Sequence, residues 1–161
     1  MTRRTLAGLG VVLAAVASLA TSPKRWEFAD SRAGTLVLDD AKPTQSVHVT
    51  VHATHQPEIS VTAELRGGEA RLVAIPDDGS PAVIGTVTPV VDDAGRPTST
   101  LRIHEQLPPA TCTAPCSVGY ALRFERAPGA GTRVEVEWRA LAEVRGIGDT
   151  PPGAGVAVRS P

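Results

Sequence analysis

The residues of this chain best suited to chemistry are two cysteines, four histidines and three pairs of adjacent aspartates. Cys112 and Cys116 are the only cysteines, and "CTAPC" separates them by a short segment whose Pro115, with Thr113 and Ala114, makes a compact turn. In an oxidising compartment such a pair closes into a structural disulfide, worth roughly 2 kcal/mol on the chain-entropy estimate, less any strain. A dithiol redox centre needs Cys-x-x-Cys at a strand-to-helix junction, and neither condition is met. A metal would need further ligands, for which His104 on the preceding segment is the nearest candidate.

His48 and His52 share the polar phase of "QSVHVTVHATH". Four residues of strand span roughly 13 Å, so the two imidazoles reach one ion only if a neighbouring strand supplies the bridge. His55 falls in a turn and His104 on the polar side of its own run. Asp39-Asp40, Asp77-Asp78 and Asp92-Asp93 all lie in expected loops, where carboxylates and turn carbonyls can hold calcium. None shows the alternating spacing of a dedicated calcium loop, and aspartate is in any case a good turn starter. His48, His52, His104, Asp77, Asp78, Asp92 and Asp93 therefore stand as weak metal candidates against a default of solvated strand histidines and turn-forming aspartates. No cofactor is assigned.

Nucleophilic catalysis has little to rest on: there is no Gly-x-Ser-x-Gly elbow and no glycine-rich phosphate cradle before a helix. "APGAGT" leads into a strand pattern. A paired-carboxylate glycosidase finds few exposed aromatics to hold a sugar. No catalytic residue is assigned, and the chain is expected not to be an enzyme.

The elements that must position these groups are strands. In "TRVEVEWRALAEVRG", Val134, Val136, Trp138, Ala140, Ala142 and Val144 keep one phase while charged residues, with Leu141 the single exception, take the other, the pattern of a strand with one buried and one solvated face. The same alternation runs through Val47, Val49, Val51 and Ala53, through Ile59, Val61, Ala63 and Leu65, and through Val118, Tyr120, Leu122 and Phe124. "STLRIHEQL" adds Leu101, Ile103 and Leu107. "WEFAD", "GTLVLDD", "ARLVAIP" and "AVIGTVTPVV" have mixed phase, as at a sheet crossover. Gly, Pro and Asp clusters separate the runs. About eight or nine short strands at this spacing predict an all-β, two-sheet antiparallel β-sandwich of the immunoglobulin-like or Greek-key type.

The N-terminus carries Arg3 and Arg4 ahead of an uninterrupted small and apolar stretch, Leu6 to Ala20, closing on Ser18-Leu19-Ala20. That is the pattern of a secretory signal peptide over residues 1–20, the apolar stretch being short for a membrane-spanning helix. The expected organisation is then a sandwich domain at 21–146 and a flexible Gly/Pro-rich tail at 147–161, in which Val156 to Val158 offer a short edge strand. Loss of Arg3 and Arg4 takes the 16 basic residues to 14 against 17 acidic ones, a formal charge of −3. A mildly acidic domain has no electrostatic footprint for nucleic acid or anionic lipid, and no membrane insertion of the mature chain is expected.

"CSVGYALRFE" resembles, at Gly119 and Tyr120 alone, the tyrosine corner of immunoglobulin-like sandwiches, in which a hydroxyl ties a sheet crossing to backbone. That likeness bears on architecture and not on activity. The expectation is an exported, periplasmic or extracellular, non-catalytic sandwich that contacts other proteins as a structural, assembly or accessory module, with exposed edge strands, the segment after Arg145 among them, as its surface. The contrasting expectations are a metal-binding sandwich using histidines or loop aspartates, and a hydrolase with an unrecognised site.

Overall fold

A computed structural model describes residues 22–108, 115–129 and 133–161. The expected signal peptide, 1–20, and Cys112 lie outside the described residues. Ten strands form two antiparallel sheets of five, and no described residue is helical. They are β1 (Arg25–Asp39), β2 (Thr44–Ala53), β3 (Glu58–Arg66), β4 (Ala70–Pro76), β5 (Val83–Gly85), β6 (Val87–Val91), β7 (Pro97–Leu107), β8 (Cys116–Arg126), β9 (Arg133–Ile147) and β10 (Val156–Arg159). The first sheet runs β1-β9-β3-β7-β6 and the second β10-β2-β8-β4-β5.

The pairings are nested. β1 lies against β9 along all 15 residues, from Arg25↔Ile147 to Asp39↔Arg133, while β2 pairs with β8, β3 with β7 and β4 with β5. Immunoglobulin domains place their first two strands side by side in one sheet. Here β1 and β2 occupy opposite sheets, so the immunoglobulin expectation does not describe the strand order. The turn between them explains the change of sheet: Asp39 Oδ1 accepts from the amides of Ala41 and Lys42, and Asp39 N donates back to Lys42 O, folding the chain tightly across.

The alternating residues meet between the sheets. Val49, Val51, Val61, Leu65, Ile103, Tyr120, Leu122, Phe124, Val134 and Val136 are all buried there. Two cross-strand pairs set an indole over a glycine: Gly34 faces Trp138, and Trp26 faces Gly146. A Cβ at residue 34 would sit 2.9 Å from the Trp138 ring, and one at 146 would collide outright with Trp26. The glycines leave each large ring a place on a twisted pair of long strands.

Charged residues in the inward phase close the two seams between the sheets. On β1, Asp30 Oδ2 accepts from the Val158 amide at 2.8 Å and Arg32 Nε donates to the Val158 carbonyl at 3.0 Å, joining the edge of one sheet to β10 on the edge of the other. On the far side, Glu105 Oε1 accepts from the amide of Thr86, the residue at which the chain passes from β5 to β6 and so between sheets. Charged residues in the inward phase of an edge strand are one of the devices by which sheets blunt an open edge. Residues 156–159 of the expected tail therefore belong to the sandwich: they pair with β2 from Val156↔Ala53 to Arg159↔Thr50, and Val158 is buried.

Tyr120 is buried on β8, and its hydroxyl donates to Pro108 O at 2.9 Å, tying the start of the β7-to-β8 crossing to the core. Burial, with the charge of Asp78 nearby, pushes its pKa up to about 12.

Candidate functional site

His48 projects from the outer face of the second sheet, as its phase in β2 requires. β4 ends at Pro76, and Asp77 N then donates to Gly119 O at 2.9 Å, which carries the Asp77 carboxylate back over β8. His48 Nε2 lies 2.9 Å from Asp77 Oδ2 and 3.1 Å from Oδ1. The two side chains meet above Gly119, where a Cβ would strike the carboxylate and come within 3.0 Å of the imidazole. Glycine is what lets a β2 residue and a residue following β4 touch across the strand between them. Both side chains are about half exposed, 42% and 54%, so the pair contributes at most about 1 kcal/mol. A histidine oriented by a carboxylate is two-thirds of a nucleophilic triad. Among the described residues no serine or threonine hydroxyl is hydrogen-bonded to its other ring nitrogen.

The remaining candidates are dispersed. His52 shares the outer face with His48 but stands opposite Ser117 and Ala157, beside a shallow depression bordered by Pro115 and Cys116. His104 is on the outer face of the other sheet, its Nδ1 3.0 Å from Thr62 Oγ1. Cys116 is buried on the inner face of β8 in the other sheet, so the sheet that carries His104 on its outer face stands between the two. Asp78 caps its own turn by accepting from Ser80 N at 2.8 Å, and the Ser80 bonds hold its pKa below the usual carboxylate range. Asp92 accepts from the amides of Ala94 and Arg96 and from Arg96 Nε, and the Arg96 contacts lower its pKa likewise. Asp93 is exposed beside it. No group of three or more His, Cys, Asp or Glu among the described residues is placed to hold a metal ion.

A different surface emerges along β1, the terminal strand of its sheet. Gly148 N donates to Lys24 O in line with the β1–β9 register, which assigns the even-numbered residues of β1 to the ladder with β9. The odd-numbered ones point their N–H and C=O outward. Three of these outward groups are capped: Ser31 N by Asp30 Oδ1, Val37 O by Gln45 Nε2 and Asp39 N by Lys42 O. Between the caps lie Ala33 and Thr35, both exposed, with Gly34 between them.

A shallow depression of about 640 Å³ adjoins this window on the outer face. Ala33, Gly34 and Thr35 form its floor on the β1 side, and Glu64, Glu137 and Arg139 stand around it. A second, of about 270 Å³, continues along Thr35 to Val37. The cause is local composition, since Ala29, Ser31, Ala33 and Thr35 are short while Glu135, Glu137 and Arg139 opposite on β9 are long. Sequence reasoning missed this surface and the inward pair Asp30 and Arg32. The signal was present: Trp26, Phe28, Gly34, Leu36 and Leu38 share one phase that runs through both charged positions.

Compared with models of known families, with curated proteins and with solved structures, the chain matches none.

Proposed function

We propose that this chain is an exported, non-catalytic recognition module that acts through protein contacts, as a structural, assembly or accessory component. The observation that carries the reading is the uncapped Ala33–Thr35 window on the edge of β1 beside a depression walled by Glu64, Glu137 and Arg139. A strand edge offers main-chain hydrogen bonds to an extended segment, and an adjoining hollow takes its alternate side chains. The partner in this reading is an extended segment of another protein, with a small or polar side chain over the depression. The nested pairing order supports a jelly-roll member of the Greek-key class as the scaffold. The leader-like residues 1–20 support export, and export supports oxidation of Cys112 with Cys116.

Replacement of Thr35 by proline tests the reading. Thr35 N points away from β9, so Thr35→Pro removes an outward donor and leaves the ladder to β9 its hydrogen bonds. Partners recovered with the wild-type chain from its exporting cell are expected to be lost with Thr35→Pro at an unchanged melting temperature. Undiminished recovery of the same partners overturns the assignment of the surface.

A further inference from the structure

The last strand stands outside the nested set. β1 to β9 pair among themselves, and β10 is a four-residue addition along β2. What holds it is recognition of backbone plus two valines, Val158 buried in the core and Val156 half-buried against it. Asp30 and Arg32 take the outward amide and carbonyl of Val158, while its side chain, 1% exposed, enters the core. Ahead of it Thr54 and Gly155 bind each other three times, Thr54 N to Gly155 O at 3.1 Å, Thr54 Oγ1 to Gly155 O at 3.2 Å and Gly155 N to Thr54 Oγ1 at 2.9 Å. The groove between β2 and the Asp30–Arg32 pair thus has the features of a peptide site of the strand-addition type, already filled by the chain's own Val156-Ala157-Val158-Arg159.

We infer that this groove is an exchangeable strand-acceptor site, and that its alternative occupant is the same strand, β10, of a second copy of the chain. The groove reads Val-Ala-Val-Arg by its backbone and by the Val156 and Val158 side chains, and an identical copy satisfies every one of these contacts with no new recognition chemistry. The connection 148–155 contains Gly148, Pro151, Pro152, Gly153 and Gly155, and its eight residues span up to about 27 Å when extended, enough to cross to a neighbouring molecule. Tethering favours the closed monomer at low concentration, and exchange gains as concentration rises. The inference rests on the contacts of Asp30 and Arg32 with Val158 and not on the β1 window, which begins at the next residue, Ala33, on the same strand.

Two defective full-length chains test it. Val158→Asp spoils the donor strand and keeps the acceptor; Asp30→Ala combined with Arg32→Ala weakens the acceptor and keeps the donor. Each alone is expected to run as a monomer, and their equimolar mixture to yield a heterodimer by native mass spectrometry; a mixture that stays monomeric overturns the inference. Hydrogen exchange on the wild-type chain supplies a second reading that needs no variant to fold. The amides of Ala157 and Val158 should exchange at least about 100-fold faster than those of Tyr120 and Leu122, because β10 leaves while the rest stays folded. Equal rates, meaning that β10 opens only with the whole domain, contradict it.

Discussion

Two single residues decide local geometry out of proportion to their size. Gly119 makes room for His48 and Asp77 to meet over β8. Gly119→Ala forces the carboxylate aside, and since an exposed pair is worth little, the main cost is displacement of the Asp77 turn, about 1–2 kcal/mol. A thermal melt should place this variant several degrees below the wild type. Tyr120 contributes through a hydroxyl that is both buried and bonded to Pro108 O. Its pKa is raised from 10.0 to about 12, so the unfolded chain ionises first on going to high pH. The stability it supplies is therefore complete below about pH 10 and is lost as the pH climbs through about 12. Denaturant titrations across this range should show wild-type stability falling more steeply than that of Tyr120→Phe. At neutral pH, Tyr120→Phe should be less stable by about 1 kcal/mol, the value of one buried hydrogen bond.

At the scale of elements, the pairing of β1 with β9 depends on small residues opposite large ones. Trp26 lies over Gly146, with its ring 6.0 Å from Phe28 and 5.3 Å from His55. Gly146→Val should drive the Trp26 indole out toward solvent, red-shifting part of the tryptophan emission while buried Trp138 keeps its own. An unshifted spectrum would show that the ring rests elsewhere. The strands legible in the sequence were those whose alternation is unbroken, above all β2, β3, β8 and β9. β1 read as two fragments because Asp30 and Arg32 occupy its inward phase, where they serve the seam with β10 and not the core. "AVIGTVTPVV" read as one mixed run because it is two strands, parted at Thr86 where Glu105 caps the crossing. β10 was faint because four residues offer only Val156 and Val158 as pattern. The polar phase of His48 could be read directly. Its partner could not, since Asp77 is 29 residues away and is brought back only by the pairing of β4 with β8.

For the whole molecule, strand order is the property that local pattern carries least. Arg25 pairs with Ile147 across nearly the entire domain, and no short-range signal specifies such a partner. The same long-range pairing should make refolding slow, in the millisecond-to-second range typical of β-sandwiches, which stopped-flow fluorescence of the two tryptophans can time. Strand order also decides which edges remain open. On one side the seam is fastened by Asp30, Arg32 and Val158, on the other by Glu105 and Thr86, and the stretch of β1 at Ala33–Thr35 is left between caps. That window is the centre of the functional account, and its edge position could not be known before the order of the strands. The most direct test is photocross-linking in the cell that makes the protein, with a photoreactive residue at Ala33 in one chain and at Thr50, on the outer face of the other sheet, in a second. A discrete protein adduct is expected from position 33 and none from position 50; an adduct from position 50 alone, or none from position 33, contradicts recognition through the β1 edge.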